Sequence, residues 1–150
     1  MDSSVPVARA GRFEAPLDRA YHPVDHTWVR REGARMRIGM DSLGVETTGD
    51  LAQLYLSPTG TIVAAGDELG TIEAQKFVGP LRSPVAGTVV EVNERALANP
   101  LLVTKDPYGE GWLLLIDPLE EPEGLIEGDA VHAWFAESLE EYKRQGSVSE

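Results

Sequence analysis

Cysteine is absent from the 150-residue chain. This excludes a disulfide framework, a thiolate metal site and a cysteine nucleophile, and it fits a reducing compartment. Basic residues are scarce: 13 Lys and Arg stand against 25 Asp and Glu, a formal net charge of −12. Nucleic-acid phosphates would be repelled, whereas partners with basic docking faces are favoured. No apolar run reaches membrane-spanning length, and residues 1–20 hold no signal-peptide core. The expectation is a soluble, cytoplasmic protein with no membrane partner. There is no glycine-rich phosphate loop of the P-loop or dinucleotide type. The histidines are His22, His26 and His132. His22 and His26 have the spacing of a helical metal pair, but Pro23 lies between them and the segment does not read as a helix, so no metal site is assigned. No acid, base and nucleophile converge, which argues against a stand-alone enzyme.

The length suits a single domain with a modest core, expected as a monomer. Residues 1–20 lack periodicity and read as a flexible N-terminal arm. Tyr21 to Met40 reads as a β-hairpin turned at Glu32-Gly33, with Met36, Ile38 and Met40 alternating against Arg35, Arg37 and Gly39. Arg30, Arg31, Arg35 and Arg37 form a basic cluster, either the solvated face of that hairpin or a docking patch. Asp41 and Gly49 bracket a short helix as N-cap and stop, and Asn93 caps a helical turn over 94–98. Leu101 to Val103 leads into the turn at Asp106. Trp112 to Ile116 reads as a buried strand. Val131, Trp134, Phe135, Leu139 and Tyr142 fall on one face of a terminal helix, and residues 144–150 are expected to fray.

The chain is organised around Lys76. Glu68 to Ala74 precedes it and Val85 to Val92 follows it as β-type runs, with turn chemistry at Gly79-Pro80 and Ser83-Pro84. Such a lysine is expected in solvent near a hairpin tip. Ser57-Pro-Thr-Gly60-Thr-Ile-Val63 and Ser83-Pro-Val-Ala-Gly87-Thr-Val-Val90 repeat one phrase 26 residues apart, with Lys76 between them. Two copies suit two similar β-units packed face to face. Glu73 stands three residues before the lysine and Gly87 eleven after it.

Together with Asp106-Pro-Tyr-Gly-Glu-Gly-Trp112, these residues make the chain resemble the glycine cleavage system H protein family of lipoyl carriers, from about Tyr21 to Trp134. The resemblance implies a mostly β fold of the lipoyl/biotinyl hammerhead type, a sandwich of two quasi-symmetric β-units with short helices and a C-terminal helix, spanning residues 21–143. It implies lipoate in amide linkage on Lys76, with Glu73 and Gly87 helping the lipoylating enzyme (ligase or transferase) recognise it. A biotin carrier shares the scaffold but places methionines beside the lysine, where this chain has Gln75 and Phe77. The carrier would be non-catalytic, because the cofactor performs the chemistry and the protein presents the arm.

The resemblance departs from the family pattern at two places. Thr27 stands in His26-Thr27-Trp28 where the family has glutamate, and Phe77-Val78-Gly79-Pro80 replaces a run ending in an acid. Those acids lie where the arm's aminomethyl cargo docks in the family, and a cationic amine favours carboxylates beside it. Asp25, two residues before Thr27, is a partial substitute. The departures favour an H-like lipoate-binding protein that shuttles sulfur-compound intermediates with a heterodisulfide-reductase-like complex. The alternative is a glycine cleavage H protein that serves glycine decarboxylase and aminomethyltransferase, with dihydrolipoamide dehydrogenase reoxidising the arm.

Overall fold

Near the start of the chain, Ala8 and Ala10 alternate with Arg9, and Phe13 and Ala15 flank Glu14. In the computed structural model, which describes residues 5–148, these stretches form the antiparallel strands Val7–Ala10 (β1) and Phe13–Pro16 (β2). The turn between them uses Gly11 at φ +58°. Ala8, Ala10, Phe13 and Ala15 are buried. The flexible arm expected for residues 1–20 is thus corrected over 7–16 to a packed hairpin, and residues 1–4 lie outside the described residues. The inward positions are mostly alanine, too small to give a strong hydrophobic period.

Ala20–Tyr21 (β3), Thr27–Glu32 (β4) and Arg35–Met40 (β5) follow as an antiparallel meander. Arg30 and Arg37 face each other across β4 and β5, where like charges repel. Glu32 resolves the conflict by accepting from Arg37 Nε at 2.6 Å and from Arg30 Nη2 at 2.6 Å. Arg31 pairs with Glu121, and the Arg37 guanidinium lies 4.2 Å from the centre of a Trp112 ring. The basic cluster is therefore largely neutralised within the fold.

Ser42–Thr48 (α1) starts at Asp41, whose Oδ1 accepts from Gly44 N at 2.8 Å, and ends at Gly49. Leu51–Leu56 (β6), Ile62–Val63 (β7), Glu68–Ala74 (β8), Val78–Arg82 (β9) and Gly87–Val92 (β10) come next. Asn93 caps Glu94–Ala98 (α2). Leu101–Lys105 (α3), Leu114–Pro118 (β11) and Ala130–Gln145 (α4) complete the order. Six strands run β3-β4-β5-β11-β10-β7 and three run β6-β8-β9. Ile38, Met40, Leu69, Ile72, Val89 and Ile116 belong to the core that joins the two sheets. The two Ser-Pro phrases meet directly: Gly87 pairs with Val63 and Thr88 with Ile62. The mostly β, quasi-symmetric architecture with short helices and a C-terminal helix is the expected one.

The lysine hairpin differs from expectation. Its second strand is β9, not the run beginning at Val85. Pro80 sits inside that strand opposite Thr71. Proline is tolerated there because β9 is the edge of its sheet, so its missing N–H removes no ladder bond on the outer side. A second core gathers Val131, Phe135 and Leu139 of α4 against the β1–β2 hairpin, Tyr21 and Trp28. The frayed tail expected over 144–150 is corrected over 144–148, and residues 149–150 lie outside the described residues. Gly146 closes α4 in the left-handed conformation, and Val148 is buried in this second core.

Candidate functional site

Gln75 and Lys76 lie in the turn between β8 and β9, closed by Ala74 N donating to Phe77 O at 2.8 Å. Helix α1 fixes this turn from below. Lys76 N donates to Thr48 O at 2.7 Å and Gln75 N to Asp50 O at 3.0 Å. The terminal helix carbonyl at Thr48, which has no partner within its own helix, is thus used to seat the lysine backbone. Gly49 makes the approach possible: its φ is +83°, and a β-carbon there would lie 2.8 Å from Gln75 Cβ. The Lys76 side chain is exposed and makes no hydrogen bond or ion pair among the described residues. A rigid turn therefore presents a free primary amine.

Glu73 lies on the face of β8 opposite the buried Ile72, three residues from the lysine. Gly87 is elsewhere, buried within the six-stranded sheet. The structure thus brings Glu73 to the lysine tip and leaves Gly87 in the interior.

Beside Lys76 opens a cleft of about 470 Å³. Asp25, Thr27, Thr47, Phe77, Pro80 and Arg82 contribute to its walls. Phe77 folds back over Gly79, where a β-carbon would meet its ring at 2.7 Å. Behind the cleft, His26 adopts φ +57°, a left-handed conformation uncommon outside glycine. This bend turns its ring inward, where Nδ1 lies 2.8 Å from Asp41 Oδ2 and the ring stacks on Trp134 at 5.0 Å. Asp41 therefore both caps α1 and holds the segment carrying Asp25 and Thr27. Tyr142 also lines the cleft; burial above all, then the Asp41 and Asp25 carboxylates, push its hydroxyl pKa up. His22 Nδ1 accepts from the backbone N–H groups of Val24 and Asp25, at 3.2 and 3.0 Å. The two histidines are thus engaged separately and do not converge.

Sequence reasoning missed Thr47, Thr48 and Tyr142 as part of this site. Their roles depend on α1 and α4 approaching the lysine turn, and no local spacing carries that information. Asp25 and Thr27, singled out from the family pattern, do reach the cleft, as does Pro80.

The family profile described as "Glycine cleavage H-protein" matches residues 20–138. The glycine cleavage system H protein of Rubrobacter xylanophilus is 43% identical over 110 residues, covering 73% of this chain and 86% of that protein. Its counterpart in Trichormus variabilis is 41% identical over 116 residues, covering 75% of this chain and 88% of that protein. The crystal structure of a glycine cleavage system H protein from Mycobacterium marinum superposes with a TM-score of 0.69 at 34% identity, covering 89% of this chain and all of that one. These names support the glycine-cleavage alternative, and they give no support to a sulfur-oxidation subgroup or a heterodisulfide-reductase-like partner. With its fold, its exposed lysine turn and these likenesses in agreement, the chain belongs to the glycine cleavage H-protein family, whose members are non-catalytic carriers of a lipoate attached to a lysine.

Proposed function

We propose that the chain is the H protein of a cytoplasmic glycine cleavage system, carrying lipoate on Lys76 and shuttling an aminomethyl group between glycine decarboxylase and aminomethyltransferase, with dihydrolipoamide dehydrogenase as third partner. The observation that carries this reading is the exposed, unpaired Lys76 on a turn clamped to α1, beside a cleft that contains a carboxylate. The residues fit the prosthetic group: a free primary amine can form the amide, and Phe77 and Val78, 40% and 71% exposed, give an apolar rim along which an aliphatic chain can lie. When bound, lipoate supplies the dithiol that accepts and releases cargo. The protein holds the attachment point still and offers the cleft. Glu73, on the tip, is placed for contact with a lipoylating enzyme. Gly87, buried in the sheet, supports lipoylation through the fold that positions the tip.

Two measurements test the reading. Intact mass after lipoylation should show one adduct, absent from Lys76→Arg. That variant should unfold within about 0.5 kcal/mol of the parent, because an exposed side chain without partners contributes little. The lipoylated chain should then support glycine decarboxylase in exchanging the glycine carboxyl with labelled bicarbonate. No exchange, with an authentic H protein active alongside, would overturn the glycine-cleavage assignment.

A further inference from the structure

We propose that the groove on the far side of α1, between that helix and the N-terminal hairpin, is a resting seat for the uncharged dithiolane end of the lipoyl arm, separate from the cleft. The inference rests on the carrier reading above in one respect, that Lys76 bears lipoate. The groove holds about 330 Å³, at the lower end of the roughly 300–1,000 Å³ of small-molecule sites. Gly44, Thr47 and Thr48 face the cleft, whereas Ser42, Val45, Glu46 and Gly49 face the groove. On a helix those two sets lie about half a turn apart, so the two hollows flank opposite sides of α1. Lys76 lines both. Its Cε lies 3.4 Å from where a Gly49 β-carbon would stand, so the lysine side chain already runs over a bare glycine of the groove. An arm fixed at Lys76 is thereby tethered at the mouth of both hollows, and a tethered ligand needs only weak contacts to occupy a neighbouring seat.

The walls suit an uncharged ring on an amide-linked chain. Phe13, Val45 and Pro107 supply apolar surface. Arg12 closes the outer rim: its guanidinium lies 4.2 Å from the centre of the Phe13 ring, and Nη2 donates to Glu46 Oε2 at 3.1 Å. Polarizable sulfur packs favourably against an aromatic ring, often at its edge, and Arg12 already occupies one face of Phe13. Gln75 also lines the groove, and its side-chain amide has no hydrogen-bond partner among the described residues. Its Oε1 lies over the same glycine as the lysine, 3.1 Å from the Gly49 β-carbon position. It thus offers a donor and an acceptor to the amide that joins lipoate to Lys76. Arg12 and Phe13 stand outside residues 20–138, the part of the chain that the family profile matches. The seat is therefore something the N-terminal hairpin adds to the carrier, and a ring held in it is sheltered from dissolved reductants between visits to partners.

The test uses the full chain, lipoylated, and needs no pathway enzyme. Intact mass first establishes a single adduct that Lys76→Arg abolishes. With carbon-13 in the dithiolane, nuclear Overhauser contacts should join the ring protons to the Phe13 ring. The resonances of Phe13, Val45 and Gln75 should move between the unmodified and the lipoylated chain. A water-soluble phosphine should reduce the ring disulfide roughly threefold more slowly than in free lipoamide, as for an arm seated about two-thirds of the time. Arg12→Ala and Gln75→Ala should each abolish most of that protection while leaving the unfolding midpoint in place, because both side chains are exposed. Phe77→Ala, which alters the cleft and not the groove, should keep the protection. Contacts from the ring to Phe77 or Tyr142 in place of Phe13 would overturn the proposal. So would reduction at the rate of free lipoamide, or protection that survives Arg12→Ala. A chain that takes no adduct would remove the carrier reading and the seat together, whereas an adduct without these contacts would remove the seat alone.

Discussion

A β-carbon on Gly87 would lie 2.5 Å from both the Asp117 carbonyl oxygen and Ile116 Cγ2, and 2.9 Å from Pro118 Cα. None of these is the free end of a flexible side chain, so strand β11 would have to shift. Gly87→Ala should therefore cost about 2 kcal/mol in urea unfolding, the range for overpacking an interior position. Any fall in lipoylation should track that loss. Glu73→Gln should behave oppositely, with unchanged unfolding and slower lipoylation, because the residue lies on the outer face of the tip. If Gly87→Ala were fully stable yet poorly lipoylated, direct reading of the glycine by the enzyme would replace the packing account. The family resemblance singled out both positions, but nothing in their spacing shows that Glu73 faces outward and Gly87 inward. That difference lies in which sheet each residue enters.

Helix α1 acts as a spacer between cleft and lysine. Its first turn is tied to His26 through Asp41, and its last carbonyl holds Lys76 N. Asp41→Ala removes a cap and leaves the buried His26 nitrogen unpaired. The expected loss is about 3 kcal/mol, with faster amide exchange at Gln75 and Lys76, whereas Asp41→Asn should lose far less. In the β4–β5 hairpin, the Arg37 hydrogen bonds, aided by Arg30 and opposed by partial burial, hold the Glu32 carboxyl down to about 2. A carboxylate with a depressed folded-state pKa contributes its full stability above the ordinary range near 4.5 and loses it as pH falls through about 2. Urea midpoints should therefore drop more steeply between those values in the parent than in Glu32→Gln. Equal slopes would remove Glu32 from the acid response. Elements defined by local signals were legible in the sequence: the caps at Asp41 and Asn93, and the alternation of residues 36–40. Strand β9 was not, because Pro80 reads as a turn until its place at a sheet edge is known. Helix α3 was missed for a related reason: Pro100 reads as the end of α2, yet a proline at the start of a helix also suits the next one.

At the scale of the whole molecule, the described residues form two cores with different tasks. The one between the sheets carries the lysine turn, and the one under α4 is sealed by the N-terminal hairpin. The hairpin is also joined to the site side of the molecule. Ser42 Oγ and Tyr108 Oη both donate to the Glu14 carbonyl, at 2.8 and 2.7 Å, and Arg12 reaches Glu46 of α1 at 3.1 Å. Removing residues 1–16 would uncover Leu139 and take away the buried Phe13 and three buried alanines. At about 25 cal/mol per Å² of apolar surface, the loss is roughly 4 kcal/mol. For a chain of this size that corresponds to a fall in Tm of roughly 10 °C. Because the sheets and their core remain, the truncated chain should still accept lipoate on Lys76 at low temperature and support carboxyl exchange. Its thermal transition should move down as a single step if the cores melt together, and split if the α4 core melts first. A truncated chain that is folded at 10 °C yet accepts no lipoate would show that the hairpin's bonds to Ser42 and Glu46 are needed to hold α1, and through it the lysine, in register.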